Sequence, residues 1–296
     1  MVSIFNQIGA VTSMNVRSIP QRAAMSIASV VAVALTIAVL LFFLALSAGL
    51  DQTVRGSGSD DVVLAIREGS NAELNSVVSR DQLTILSSGP NVAHRDNAPI
   101  ASGELLVIVD GIKRSSGTKA NVSFRGIGPE GLALRHGVRI AQGRMFHPGT
   151  NEMVVGAGVV REFNNFELGR TIRLRGTNWQ VVGVFEAPGT LFESELWADV
   201  AVTQSLFNRP NVFQTMRIQL TSPAAVQGFT EWAKHDARLS GLDVISERRY
   251  YARQAAQSTQ GFIVVAFALG LFMAIGSLSG ALNTMYSSVA TRSAEI

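Results

Sequence analysis

One stretch of the sequence limits what this chain can fold into more than any other. No residue from Ala23 to Leu50 carries a charge. As a helix the stretch would be about 42 Å long, which exceeds the roughly 30 Å hydrocarbon core of a bilayer. A signal peptide would have an apolar part of only about 7–15 residues. The stretch therefore predicts a transmembrane helix over residues 23–50.

A second uncharged stretch runs from residue 254 to residue 291, and its most apolar part is Gly261–Leu282. Its length again suits a membrane span. A helix buried in a soluble core is the alternative, but such helices are seldom free of charge over this length. We therefore predict a second transmembrane helix, with a stalk extension before it, over residues 251–282.

The segment before the second span, SERRYYARQAAQSTQ, contains neither Gly nor Pro. Its residues are good helix formers. We expect it to join the span as one helix from about Glu247 to Leu282. A kink or loop near Ser258 is the alternative.

The composition agrees with a membrane protein and excludes some functions. Apolar residues make up 47% of the chain and charged residues 16%, whereas soluble domains carry about a quarter charged residues. The net charge of +3 is too small to indicate nucleic-acid binding, so no nucleic-acid partner is expected. With no cysteine, disulfides and thiolate metal sites are excluded.

Two spans place both ends of the chain on one side of the membrane. Residues 1–22 hold basic but no acidic side chains, so the positive-inside rule places them in the cytoplasm. Apolar residues at helical spacing between Ile4 and Val11 indicate a short interfacial helix there. A frayed terminus explains the same residues.

Residues 51–250 then form a large domain outside the cytoplasm. We predict strands in DDVVLAIREG and VFQTMRIQL, and hairpins at Asp110-Gly111 and Gly176–Asn178. Helices are predicted at Asn75–Leu86 and Pro223–Leu239. The predicted fold class is a membrane protein with two transmembrane α-helices flanking a large α+β extracytoplasmic domain.

Residue patterns for catalysis or cofactor binding are weak. GIGPEG, from Gly126 to Gly131, fits a nucleotide-binding glycine pattern only formally and reads better as a turn. The carboxylates of Glu193, Glu195 and Asp199 alternate, but they lack further ligands, so we interpret them as a solvated strand edge or a subdomain contact. We predict no catalytic residue, no cofactor, no metal site and no enzyme activity in this chain.

The second span is rich in small residues, which allow helices to approach closely. Glycine is also common in such spans for other reasons. The residues that we predict to pack against another helix or a second copy are Ala266, Gly270, Ala274, Gly276 and Gly280.

Two groups of motifs resemble one protein family. ALNTMYSSVATRSAEI resembles the segment after the second span of MacB/FtsX-type ABC transporter permeases, where an N-T-M-like stretch leads into a short cytoplasmic helix with an R-x-x-E-I pattern. The blocks IASGELLVIVDGIKR, VSFRGIGPEG, GRMFHPGTNEMVVGAGV, LGRTIRLRGTNWQVVGVFEAPG and FESELWAD are similar, in the same order, to the periplasmic core domain of these permeases.

This resemblance implies the permease subunit of an ABC transporter, a multi-pass protein of the bacterial inner membrane with a periplasmic domain. Its expected partners are an ABC ATPase, a second copy or a paired permease, a periplasmic adaptor and the lipid membrane. The family has four spans, so we expect this chain to be a fragment or a truncated gene product. The substrate and the direction of transport stay open.

The resemblance also implies that residues 283–296 begin a cytoplasmic coupling segment that receives the motion of the ATPases. A solvated juxtamembrane helix is the alternative. The residues predicted to contact the ATPase are Asn283, Thr284, Met285, Tyr286, Arg292, Glu295 and Ile296.

The two-span architecture also fits a membrane sensor or chemoreceptor with an extracytoplasmic ligand-binding domain. A membrane-anchored hydrolase fits less well, because no catalytic constellation is present. The continuation beyond the second span distinguishes the classes: a receptor would continue into signalling heptads, a permease into further spans.

Overall fold

The computed structural model describes residues 23–292 of the chain. The helix proposed within residues 1–22 lies outside the described residues, as do Glu295 and Ile296. The described α-helices are α1 (Ala23–Gly56), α2 (Arg80–Ser87), α3 (Ala157–Glu162), α4 (Val200–Leu206), α5 (Ala225–His235) and α6 (Glu247–Arg292). Short 3-10 turns occupy Glu73–Asn75, Leu191–Ser194 and Ala237–Leu239.

The strands all lie between α1 and α6. In chain order they are β1 (Val62–Arg67), β2 (Val78–Ser79), β3 (His94–Arg95), β4 (Ala98–Pro99), β5 (Ala101–Ile112), β6 (Lys119–Ile127), β7 (Arg139–Gly143), β8 (Glu152–Gly156), β9 (Thr171–Leu174), β10 (Thr177–Glu186), β11 (Glu195–Asp199), β12 (Val212–Phe213), β13 (Thr215–Gln219) and β14 (Leu242–Ser246).

The chain divides into two compact units, one formed by Asp51–Gln257 and the other by the remaining residues on either side of it. The helices α1 and α6 contain segments long and apolar enough to cross a membrane, Val33–Val54 and Glu247–Gly280. Apolar side chains along them are exposed, as at Phe42 and Phe272. Two apolar helices thus flank a mixed α/β domain, as the sequence predicts.

The domain is built around one large mixed sheet. Within the described residues ten strands join it, in the order β14-β1-β13-β5-β6-β11-β8-β10-β7, with β9 also paired to β10. The pairs β6–β11 and β8–β10 are parallel, and the other neighbours are antiparallel. The first and last strands of the domain, β1 and β14, lie side by side.

Most predicted strands form, and one predicted hairpin is wrong. The hairpin near Gly176 is confirmed, with its turn at Arg175 and Gly176, both at positive φ. At Asp110-Gly111, by contrast, β5 continues without turning to Ile112. Gly111 is needed there for packing, because a Cβ at this position would lie 2.6 Å from the Phe163 ring.

Two apolar cores lie on one face of the strands. On β5, Leu105, Val107 and Val109 point into the core that also holds Trp179. On β13, Met216 and Ile218 point into the core formed with α2 and α5. Since side chains alternate along a strand, the residues between them face the opposite side of the sheet. That opposite face carries the candidate site.

Candidate functional site

Four adjacent strands place charged side chains on the face opposite the apolar cores. Glu104, Arg125, Glu195 and Arg217 lie on β5, β6, β11 and β13, and each alternates with apolar residues. Three further charged residues reach the same place from the 3-10 turn after β1, the loop after β6 and the start of α6. We call the seven residues the buried ionic cluster: Glu73, Glu104, Arg125, Arg135, Glu195, Arg217 and Glu247, all at most 6% exposed.

Arg125 lies between three of the carboxylates. Its guanidinium binds Glu195 through two nitrogens, Nε at 2.8 Å and Nη2 at 2.7 Å. Its Nη1 donates to Glu73 at 2.6 Å and to Glu104 at 3.1 Å. The Trp197 indole N–H also donates to Glu195, at 2.7 Å. Such planar two-point binding is specific to arginine.

Arg217 connects the sheet to the last helix. Its Nε donates to Glu247, the first residue of α6, at 2.9 Å. Its two terminal nitrogens donate to Glu104 and to Glu73. The second oxygen of Glu247 accepts the Ser59 backbone N–H at 3.0 Å. The start of α6 is therefore held by strand β13 and by the segment that leads into β1.

Glu104 is the centre of the cluster. A single oxygen, Oε2, accepts from Arg125, Arg135 and Arg217. Arg135 also donates to the Gly131 carbonyl at 2.6 Å and lies over the ring of Trp197 at 4.8 Å. The cation is thus held by both ionic and aromatic contacts.

For two of the carboxylates and two of the arginines, neighbouring charges outweigh the effect of burial on the pKa. For Glu247, by contrast, burial outweighs Arg217 and raises the pKa. Burial raises the pKa of Glu73, but the charges of Arg125 and Arg217 outweigh it and hold the pKa far below its usual value. For Glu104, burial is likewise outweighed by Arg135, Arg217 and Arg125, and its pKa is lowered. The pKa values of Arg125 and Arg217 are raised well above the ordinary value, since the neighbouring carboxylates outweigh the effect of burial.

This arrangement is suited to holding elements together. Every carboxylate of the buried ionic cluster is engaged by arginine or by backbone N–H. Breaking one buried pair leaves an uncompensated charge, which is far more unfavourable than losing an exposed pair. In the described part of the chain, no group of three or more His, Cys, Asp or Glu residues is placed to hold a metal ion.

Sequence reasoning missed this cluster. The sequence predicts a solvated strand edge or a subdomain contact for Glu193, Glu195 and Asp199. The solvated edge is wrong for Glu195, because β11 is an interior strand whose five residues are all buried. Glu193 instead forms an exposed ion pair with Arg161. Asp199 caps α4 through the Val202 N–H at 3.0 Å. The glycine pattern is a turn, as predicted, closed by Gly131 N–H to Gly128 O at 2.9 Å.

The residues predicted for helix packing all lie on α6. Ala266 is buried, and the others in this set are partly or fully exposed. At Gly270 and Gly276, a Cβ in place of the glycine hydrogen would have no atom outside the helix backbone within 4 Å. Their packing against another helix therefore stays a prediction.

The residues predicted to contact an ATPase are only partly described. Asn283 and Thr284 lie within α6, and Arg292 is its last residue. Met285 and Tyr286 are 67% and 74% exposed. Their role stays a prediction.

Comparison with solved structures gives distant likenesses. The extracellular domain of the noncanonic ABC-type transporter YknZ from Gram-positive bacteria aligns at 14% identity and a TM-score of 0.48, covering 62% of this chain and 100% of that one. The periplasmic region of MacB from Actinobacillus actinomycetemcomitans aligns at 13% identity and a TM-score of 0.48, covering 71% and 96%. No curated protein sequence matches the chain.

The family assignment rests on a sequence comparison. The family model of the MacB-like periplasmic core domain matches residues 26–235, which is more than half of the chain. The match includes most of the buried ionic cluster and ends before Glu247. This chain therefore belongs to the MacB-like periplasmic core domain family.

Proposed function

We propose that this chain is the permease subunit of an ABC transporter in the bacterial inner membrane. A separate ATPase would hydrolyse ATP, and the resulting movement would reach the extracytoplasmic domain for export or mechanotransmission. Family membership supports the permease assignment. The proposed partners are the ATPase, a second copy or paired permease, and a periplasmic adaptor. The proposal also includes the domain boundaries at residues 22, 50, 250 and 282.

One observation carries the mechanical part of the proposal. Glu247 is the first residue of α6, and it is fully engaged in the buried ionic cluster by Arg217 and by the Ser59 N–H. The same helix continues through the apolar segment to Arg292. A force along α6 would therefore act first on the Glu247–Arg217 pair, and from there on Glu104 and Glu73 in the domain.

The contact with the ATPase is proposed for the end of α6. Met285 and Tyr286 are large and exposed, which suits them for docking into a partner. Because the chain has no cysteine, Met285→Cys and Tyr286→Cys each introduce a unique thiol. We expect both to cross-link to a co-purifying ATPase, whereas Ser115→Cys in the β5–β6 turn should not. If no ATPase co-purifies, or if all three positions cross-link alike, the proposal is wrong.

The coupling step has a separate test. Glu247→Gln keeps the shape of the side chain and removes its charge, which weakens the contact with Arg217. A fluorophore on Ser115→Cys should respond to ATP in the complex with the ATPase, and the response should be lost in Glu247→Gln while the ATPase still co-purifies. Glu162→Gln, a change at a carboxylate outside the cluster, is the matched control. An unchanged response in Glu247→Gln would remove the cluster from the coupling route.

A further inference from the structure

The second half of β5 has a strand neighbour on one side only. β6 pairs with β5 from Leu105 to Ile112, whereas β13 pairs with it only from Ala101 to Glu104. At the far end, the isolated bridge between Lys113 and Phe163 closes the same side again. Between these two points, the edge of β5 is open. We call residues 106–112 on this side the open edge.

The backbone groups of the open edge can be assigned from their neighbours. On this side, Gln214 N–H donates to Glu104 O at 2.8 Å, and Asn164 N–H donates to Ile112 O at 2.9 Å. Successive residues of an antiparallel strand point to alternate sides. The N–H and C=O groups of Ile108 and Asp110 therefore point to the open edge, where residues 23–292 offer them no backbone or side-chain partner.

One end of the open edge is already bound in the way an added strand would bind it. The Gln214 side-chain oxygen accepts the Leu106 N–H at 2.5 Å, and its amide nitrogen donates to Leu74 O at 3.0 Å. This side chain fixes the position at which β13 leaves β5. Beyond it, the next free backbone groups are those of Ile108.

A groove of about 260 Å³ lies along the start of the open edge. Its apolar wall includes Leu74 and Ile108, which are 42% and 40% exposed, together with Phe207. Exposed edges are usually protected by Lys, Pro or a bulge. The sequence LVIVDGI of residues 106–112 contains neither Lys nor Pro, and its pairing with β6 is regular. Its one charged residue, Asp110, is paired with Lys119 at 3.7 Å.

The polar wall of the groove is basic. Arg175 and Arg209 line it, and both are exposed. Arg175 lies over the Phe207 ring at 4.9 Å. Neither arginine has a carboxylate within ion-pair distance among the described residues, whereas the exposed Arg114 and Arg161 both do. The groove therefore combines free backbone groups, apolar contacts and unpaired positive charge.

We propose that the open edge binds an extended, acidic segment of another polypeptide as an added strand. Its backbone would pair with Ile108 and Asp110, and its carboxylates would lie against Arg175 and Arg209. A second copy of this chain is a poor occupant, because pairing two open edges would bring four arginines together. This inference goes beyond the proposed function, since it requires neither an ATPase nor movement of α6.

The first test measures charge selection on the full chain in detergent. The probe is a fluorescein-labelled octapeptide of alternating valine and glutamate, compared with its valine–lysine counterpart by fluorescence anisotropy. We expect the glutamate peptide to bind and the lysine peptide to bind at least about tenfold more weakly. The double variant Arg175→Glu/Arg209→Glu should weaken binding of the glutamate peptide by about tenfold or more.

Arg173→Glu is the matched control for charge. Arg173 is an exposed arginine on β9, two positions before Arg175, and it does not line the groove. This variant should change binding by no more than about twofold. Absence of saturable binding of the glutamate peptide, or equal binding of the lysine peptide, would overturn the proposal.

The second test examines strand addition itself. Asp110→Pro removes one N–H of the open edge and should abolish peptide binding, whereas Asp110→Asn should retain it. If the proline variant does not fold, Ile108→Cys decides: peptides with one cysteine at successive positions should form disulfides at every second position. Cross-linking at all positions alike would show that the peptide does not add as a strand and would overturn the proposal.

Discussion

Two arginine–glutamate pairs in the domain each have two hydrogen bonds of similar length and differ in their surroundings. Arg125 holds Glu195 with two bonds of 2.8 and 2.7 Å, and Arg144 holds Glu152 with two bonds of 2.7 and 2.5 Å. The Arg125 side chain is 3% exposed and the Arg144 side chain 48%. In water, solvent and salt replace a lost partner. In the buried ionic cluster neither can replace it, so we expect the loss of a partner to destabilise the buried pair more than the exposed one.

The largest effect is expected from Arg217→Ala. This change leaves Glu73, Glu104 and Glu247 without their shared cation, and breaking a buried pair destabilises a protein by about 3–5 kcal/mol. Denaturant unfolding of the full chain in detergent, followed by tryptophan fluorescence, measures it, because all three tryptophans lie within residues 51–257. If Arg217→Ala destabilises the protein no more than Arg144→Ala does, burial does not increase the contribution of these arginines to stability.

The second largest effect is expected when the pH is lowered. The pKa values of Glu73 and Glu104 are lower in the folded protein than the ordinary value of 4.5, since burial is outweighed by the neighbouring arginines. Their stabilising contribution is therefore complete above pH 4.5 and is lost as the pH falls toward their folded pKa values. As the pH is lowered below 4.5, the denaturant concentration at the unfolding midpoint should decrease. This decrease should be less steep in Glu73→Gln than in the wild type.

A smaller loss is expected from Arg125→Lys, which keeps the charge and removes the two-point contact with Glu195. Losing one hydrogen bond to a charged group corresponds to about 1.5–3 kcal/mol. The same unfolding measurement applies, with Arg144→Lys as its exposed counterpart. If the two lysine variants were equally stable, the loss of stability would depend on the two-point contact itself and not on its burial.

The smallest effect is expected from Arg144→Ala. Arg144 is half exposed in its ion pair with Glu152, so the unfolding midpoint should stay within the error of the measurement at physiological salt. At low salt, a slight decrease should emerge because screening is weaker. A large decrease at both salt concentrations would show that the exposed pair has a structural role.

The comparison also explains what the sequence could predict. The two apolar helices follow from the absence of charge over long stretches, and some strands, such as β1, β9, β10 and β13, follow from alternation. In MRIQ, however, Arg217 alternates with Met216 and Ile218 as a solvent-facing residue would. Its burial depends on Glu73 and Glu247, which are 144 and 30 residues away in sequence. Local patterns cannot show that a second face of a sheet is covered.

The open edge was equally beyond local prediction. Asp110-Gly111 has the composition of a hairpin turn, yet β5 continues to Ile112 with Phe163 packed against Gly111. Whether a strand has one neighbour or two depends on where β13 ends. The sequence of β5 alone does not indicate where β13 ends.

The pairing of β1 with β14 has a consequence for how the domain is inserted in the chain. Ser59 and the start of α6 are directly bonded, through Glu247 and the Arg248 N–H, so the polypeptide enters and leaves the domain at one place. A domain whose ends meet can be replaced by a short loop without separating the segments that it joins. Replacing residues 51–257 in this way would remove the whole buried ionic cluster, including Glu247 at the start of α6.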